Sequence, residues 1–187
     1  LNPDVFSGLT SQQIENFTDG GLLHAIDAEQ IIGIGLPENV GVMLDNISSY
    51  PDAVQGFESS DISMFTPEMV AEFPASFISG LLPEAYSGFS ADQLSDLDPN
   101  FFSGPGGPIT PEQIQNISPD AFSGLSETQL NILTQNTDLL FSFTEEQISS
   151  LPPDSITLIE ESQNNQLIAE QAAAEQAAAE QAAAEQA

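Results

Sequence analysis

The sequence predicts an all-α fold: an α-solenoid of very short capped helices, in repeats of roughly 16 to 18 residues, followed by an alanine-rich helix. A helix-start pattern recurs seven times, and a second pattern with a Pro near its start alternates with it. The composition then changes abruptly at Gln166. These observations divide the chain into a short-helix repeat solenoid over residues 1–162 and an Ala/Glu/Gln-rich helical tail or linker over residues 163–187.

The helix-start pattern is clearest in "ITPEQI" at residues 109–114. Thr110 is placed to be the N-cap, Pro111 the first helical residue, and Gln113 the third position of a capping box. Ile109 and Ile114 have the spacing of a hydrophobic staple. The pattern returns in "LTSQQI" (9–14), "IDAEQI" (26–31), "FTPEMV" (65–70), "FSADQL" (89–94), "LSETQL" (125–130) and "FTEEQI" (143–148). The predicted capping residues are Thr10, Gln13, Asp27, Gln30, Thr66, Ser90, Gln93, Thr110, Gln113, Ser126, Gln129, Thr144 and Gln147.

The second pattern is a shorter helical segment such as "ISPDAFSG" at residues 117–124. Ser118 is placed to cap it, Phe122 to point inward, and Gly124 to end it. Related segments are "LNPDVFSG" (1–8), "FPASFISG" (73–80), "LLPEAYSG" (81–88), "LDPNFFSG" (97–104) and "LPPDSITL" (151–158). Helices this short are unstable alone, so each unit must bury its apolar residues against its neighbours.

Three segments depart from the repeat. Residues 33–56 contain glycines that weaken the helix signal, and they are interpreted as a degenerate repeat or a longer loop. "GPGGP" at residues 104–108 predicts a bend. In the tail, glutamates spaced by five residues rotate by about 140° at each step, so they form neither a stripe nor a coiled-coil seam. This composition is typical of semi-rigid helical spacers.

Charge is the chain's most unusual property. It has 29 acidic residues, no Lys or Arg, and a formal net charge of −29. Such a field disfavours nucleic acid and anionic membrane surfaces, and it favours a saline setting in which cations screen the repulsion. Selection for protease resistance, or origin as a segment of a larger protein, are alternative explanations. The start at Leu1 suggests a processed or excised chain.

Few residues are suited to catalysis. There is no cysteine, and His24 is the only histidine. A lone His beside leucines is usually a packed or surface residue, and most nucleophilic machinery is excluded. Since most acids fall in predicted first turns, as with Asp92, Glu112, Asp120, Glu145 and Glu146, we expect no enzyme and no cofactor. Calcium is a candidate ligand, although "SDLDPN" at residues 95–100 is a weak substitute for a calcium loop.

The segment "LNPDVFSGLT" and its followers resemble the short-helix superhelical repeats of the mesothelin and stereocilin family and the "FSGLTPEQ"-type repeats of large bacterial extracellular proteins. The resemblance covers about residues 1–18 and 57–161. It implies a cell-surface or extracellular α-solenoid used in adhesion or assembly. The lack of cysteine and of basic residues favours the bacterial comparison.

We therefore expect a structural or adhesive extracellular repeat protein. Because the array opens in mid-unit, we expect a homo-oligomer or polymer, a filament or surface layer, with divalent cations as further partners. No apolar run is long enough to span a membrane. The alternative is a cation-dependent extracellular module that binds a glycan or a protein.

Overall fold

Every regular element in the described part of the chain is a helix. The computed structural model describes residues 6–16, 23–103 and 109–185, and no strand occurs in these ranges. The prediction of an all-α chain of many short helices is confirmed. The bend expected at residues 104–108, and the start of the half-unit at residues 1–8, lie outside the described residues.

The helices are short and closely spaced, with one exception at the C-terminus. The α-helices are α1 Ser11–Glu15, α2 Ala28–Ile32, α3 Pro37–Ser48, α4 Pro51–Val54, α5 Ser59–Ile62, α6 Pro67–Val70, α7 Ala75–Gly80, α8 Ala91–Asp96, α9 Pro111–Asn116, α10 Glu127–Leu133, α11 Thr137–Leu140, α12 Glu145–Ser149 and α13 Pro153–Glu185. The 3₁₀ helices are η1 Pro83–Gly88, η2 Pro99–Phe102 and η3 Pro119–Gly124. The "PEAYSG", "PNFF" and "PDAFSG" segments thus adopt the tighter helix.

Elements pack in a regular order from α5 onward. Most of them pack against an element that lies three places away in chain order, so that two other elements stand between the two partners in the sequence. The pairs are α5 with η1, α6 with α8, η1 with α9, α8 with η3, η2 with α10, and η3 with α12. Their apolar side chains form one core cluster that extends from Phe6 to Ile159. Every short helix is therefore stabilised by segments distant in sequence.

Residues 33–56 contain a true helix, so the loop interpretation of this segment is wrong. Helix α3 runs from Pro37 to Ser48 and packs against α1, α6 and α7. Gly41 lies inside it, where a Cβ would come within 2.6 Å of the carbonyl oxygen of Glu72. The glycine that weakens the local helix signal is needed because another part of the backbone approaches it closely.

The glycine of the "SG" ending has a second role besides the predicted one of ending the helix. Gly124 does end its helix, but among the described glycines only Gly8 and Gly35 have positive φ. At Gly124 a Cβ would overlap the carbonyl oxygen of Ala91, and at Gly88 it would overlap that of Ser59. The repeat thus places glycine where two distant backbone segments touch.

Helix α13 belongs to both parts of the chain. Its first turns pack against α11 and α12, and Ile159 is fully buried there. Nε2 of Gln163 donates to the carbonyl oxygen of Leu140 at 2.8 Å. Beyond Gln166 the side chains described are exposed. The helix runs without interruption through the composition change at Gln166.

Candidate functional site: the buried glutamines

The capping residues of the repeat form the most regular polar constellation in the molecule. Thr110 is extended, at φ −95° and ψ 161°, and its hydroxyl accepts the N–H of Gln113 at 3.3 Å. In return, Oε1 of Gln113 accepts the N–H of Thr110 at 2.8 Å. The same reciprocal box joins Thr10 to Gln13, Asp27 to Gln30, Ser90 to Gln93, Ser126 to Gln129, and Thr144 to Gln147. Each box satisfies backbone donors that a helix start leaves unpaired.

Thr66 forms only half of a box. Its hydroxyl accepts the N–H of Met69 at 3.4 Å, but a Met at this position cannot return the bond. Sequence reasoning missed the start of α5, where the N–H of Glu58 donates to Oδ2 of Asp61 at 2.8 Å. The sequence "FESSDI" at residues 57–62 has the spacing of a capping box, because an acid such as Asp61 can replace Gln at the third helical position.

The glutamines also reach across to distant segments. Oε1 of Gln129 is used in its own box, and Nε2 donates to the carbonyl oxygens of Leu94 and Leu97 at 2.7 and 2.8 Å. We call this arrangement a glutamine bridge: a capping-box Gln whose amide also donates to two backbone carbonyls about 30 residues earlier. The others join Gln93 to Ile62 and Phe65 at 2.9 and 2.7 Å, Gln113 to Ser79 and Leu81 at 3.5 and 2.9 Å, and Gln147 to both Ile114 and Ile117 at 2.9 Å.

The bridge explains why Gln, and not Glu, occupies this position in an acid-rich chain. A primary amide accepts through oxygen and donates through both hydrogens of nitrogen, whereas an ionised carboxylate only accepts. These side chains are buried, with Gln129 at 0% exposure, where an unpaired charge would be costly. In the described residues, every buried side-chain polar atom has a partner. The bridge therefore fixes helix starts to helix ends without using charge.

The first repeat unit is joined to the body by a variant of the bridge. Its carbonyls at Leu9 and Ile14 accept from the side-chain amides of Asn39 and Asn46, at 3.1 and 2.6 Å. Both Asn residues lie on α3, 30 and 32 residues further along the chain. Sequence reasoning did not find them, because they are not in capping boxes. Gln13, in the same unit, is exposed.

The carboxylates lie mainly at the surface in first turns. Asp92, Glu112, Asp120, Glu145 and Glu146 occupy such positions, where the helix dipole favours negative charge.

Glu68 shows a local effect on titration. Hydrogen bonds from its own backbone N–H and then from the Thr66 hydroxyl lower the pKa of its carboxyl.

The candidate calcium segment at residues 95–100 is used for local structure. Oδ1 of Asp98 caps η2 by accepting the N–H of Asn100 at 2.9 Å. Within the described ranges, no three His, Cys, Asp or Glu side chains are grouped so that they could hold a metal ion. The acids thus form a distributed surface charge.

The two remaining polar residues of interest lie against aromatic or backbone groups. His24 is exposed and meets Tyr50 edge-on at 5.4 Å between ring centroids, beside a surface pocket of about 240 Å³. Tyr86 is buried and donates its hydroxyl to the carbonyl oxygen of Ile78 at 2.6 Å. Burial raises the pKa of the Tyr86 hydroxyl. Tyr86 thus ties η1 to α7.

A second surface pocket, of about 350 Å³, combines aromatic and polar groups. It is lined in part by Phe73, Phe101, Asp98 and Asn100. Both phenyl rings belong to the core, with 4% and 5% exposure. Most of each ring is therefore engaged in packing.

Comparisons with protein-family models, with curated proteins and with solved structures found no match. In the part of the chain that the structure describes, no helix has both the length and the apolar character needed to cross a bilayer.

Proposed function

We propose that this protein is a structural α-solenoid that assembles with copies of itself into a filament or surface layer. The observation that carries the proposal is the glutamine bridge, repeated at Gln93, Gln113, Gln129 and Gln147 with acceptors 28 to 35 residues earlier in the chain. A bridge that reaches back by about 30 residues each time can be added without altering the previous one, which is a property of a linear repeat array.

The side chains engaged in the repeat support a structural role over a catalytic one. The buried glutamines hold helix ends, many acids occupy first turns, and the large aromatics fill the core. The charged side chains that remain at the surface are all acidic, beside a few exposed large apolar residues such as Leu36, Phe141 and Leu167. Such a surface suits an extracellular or cell-surface setting, where sodium and divalent cations screen repulsion between assembled copies.

The runner-up is a cation-dependent module for a glycan or protein ligand. The pocket beside Phe73 and Phe101 favours it, because it places two rings near Asp98 and Asn100. Stacking on a sugar needs an open ring face, and these rings are almost fully buried. The structural function is therefore preferred.

The solenoid is tested by duplicating residues 109–142. This segment starts and ends at the same point of the repeat, so the inserted copy brings its own glutamine bridge. Small-angle scattering should show a folded particle that is longer but equally thick. Insertion of 34 residues of tail-like sequence before residue 143 is the control, and it should disrupt the body. An unfolded duplication would contradict the solenoid.

Assembly is tested by sedimentation velocity and electron microscopy of the purified chain at increasing sodium chloride, with and without calcium. We expect oligomers or filaments that grow with ionic strength. A chain that stays monomeric under all conditions would contradict the assembly proposal.

A further inference from the structure

Gln13 is an unusual member of the capping-box series. It forms the same reciprocal box with Thr10 as the others do, with Oε1 accepting the Thr10 N–H at 3.0 Å. The glutamines of the bridges are buried to 4% exposure or less, whereas Gln13 is exposed. The first unit therefore has a formed box whose glutamine side chain is exposed, and within the described residues its amide nitrogen donates to no earlier carbonyl.

The opposite end of the array presents the matching acceptors. In three of the bridges the accepting carbonyls lie three residues apart, as at Ile114 and Ile117, whereas those of the Gln113 bridge, Ser79 and Leu81, lie two residues apart. Ile148 and Leu151 repeat the three-residue arrangement, and the Leu151 N–H donates to the Ile148 carbonyl at 3.1 Å as the Ile117 N–H does to Ile114. No side chain of the described residues donates to either carbonyl.

Burial also distinguishes the last acceptor pair. The residues that correspond to Ile148 in the bridged units, Ile62, Leu94 and Ile114, are fully buried, but Ile148 is only half-buried. In the same C-terminal part of the body and the start of the tail, Phe141 is 42% exposed and Leu167 is 55% exposed. Leu167 lies one turn beyond Gln163, which bonds the carbonyl of Leu140. This end of the array therefore retains apolar surface.

We propose that the two ends bind each other between copies: the amide of Gln13 donates to the carbonyls of Ile148 and Leu151 of a second copy. The contact continues the glutamine bridge from one molecule to the next, and it rests on the proposed self-assembly. It joins two different surfaces head to tail, which is the kind of contact that extends into a filament when successive copies do not close into a ring.

A second copy suits this face by its charge as well as by its hydrogen-bond acceptors. Helix α1 has no acidic residue in its first turn, whereas α2, α8, α9, α10 and α12 each have at least one. The Gln13 box would therefore add less like-charge repulsion than the boxes of these five helices when it meets another equally acidic molecule. Leu36, at the start of α3, is 54% exposed on the region that packs with α1 and adds apolar surface there.

The first test compares Gln13→Glu with Gln12→Glu in the full chain. Both substitutions replace a Gln amide by a carboxylate and so add one negative charge to the same exposed turn. Only Gln13→Glu removes the amide that is proposed to donate to the second copy. Sedimentation velocity should show that Gln13→Glu weakens association by at least about tenfold, while Gln12→Glu changes it less than about twofold. Both variants should melt at the same temperature as the parent chain.

The outcomes separate this inference from the proposed function. If the parent chain assembles and Gln13→Glu assembles equally well, the end-to-end bridge is wrong and self-assembly stands. If the parent chain never assembles, the proposed function fails, and this inference fails with it.

The second test uses the absence of cysteine in the chain. A chain carrying both Gln12→Cys and Ser149→Cys should form a ladder of disulfide-linked oligomers on oxidation, whereas each single variant should stop at a dimer. The corresponding pair at a bridge within the chain, Gln115→Cys with Glu146→Cys, is the positive control and should close within one molecule. If the control pair forms its disulfide within one molecule and the test pair forms no ladder of oligomers, the proposed contact is wrong.

Discussion

The repeat body and the tail helix use the same side chain in two ways. In the body, Gln129 is buried and donates to the carbonyls of Leu94 and Leu97, 35 and 32 residues earlier. In the tail, Gln171 is exposed and donates to the carboxylate of Glu175, four residues along the same helix, at 3.3 Å. The first bond joins distant segments, and the second stabilises only its own helix.

This difference shows how a chain without Lys or Arg can build a body. Amide-to-carbonyl bonds are neutral, so they neither add to the repulsion nor weaken with salt as exposed ion pairs do. Tail stability depends instead on alanine, which has the highest helix propensity, and on local pairs worth about 0.2–0.5 kcal/mol each. We therefore expect the body to unfold cooperatively and the tail to melt locally.

The largest effect should come from Gln129→Glu. The carboxylate would be buried against the carbonyl oxygens of Leu94 and Leu97, with no hydrogen to donate to them. The cost of an unpaired buried charge predicts a loss of more than about 3 kcal/mol in the free energy of unfolding. Urea denaturation followed by circular dichroism measures it.

The matched control is Gln13→Glu, which makes the same change at an exposed box. It should alter the free energy of unfolding of the monomer by less than about 0.5 kcal/mol. Equal losses in the two variants would show that the bridge contributes nothing beyond the cap.

A smaller loss is expected for Gly124→Ala. The added Cβ would overlap the carbonyl oxygen of Ala91, so the two backbone segments must separate. Overpacking of this kind costs about 1–3 kcal/mol. Thermal unfolding measures the change, and Ser123→Ala, at the exposed neighbouring position, is the control. If both variants unfolded alike, the close approach at Gly124 would not limit stability.

Salt should stabilise the body by about 1 kcal/mol, which raises the melting temperature by about 2–4 °C. Added ions screen repulsion among carboxylates that have no Lys or Arg partner, so the sign is an increase. Calcium should act at lower concentration than sodium because each ion carries two charges. Calorimetry in sodium chloride and calcium chloride tests both statements, and an unchanged melting temperature would refute them.

The smallest effect is expected for Gln171→Ala. It removes one local pair with Glu175 but introduces the best helix former, so the net change should stay below about 0.5 kcal/mol. Gln163→Ala is the same substitution on the same helix, but it removes the bond to the Leu140 carbonyl and should cost about 1 kcal/mol. Circular dichroism during urea denaturation compares the two. Indistinguishable variants would mean that α13 is not anchored by Gln163.

Local patterns predicted the helical class and where many of the short helices begin. A polar cap followed three residues later by Gln, as in Thr110 and Gln113, is a local device, so the sequence displays it directly. Helix α3 was harder to predict, because Gly41 lowers helix propensity for a reason that lies in another segment, the carbonyl of Glu72.

The sequence by itself determined the class of fold, many of the helix starts and the strongly negative net charge. Capping and helix propensity depend on residues close together in the chain, and net charge depends on composition alone. Only the tertiary structure decided which helices pack together and that Nε2 of each bridging Gln donates to a carbonyl about 30 residues earlier. It also decided that Gly124 lies where two backbone segments touch. Those features depend on where distant carbonyls lie in space, and a one-dimensional pattern of caps contains no such distances.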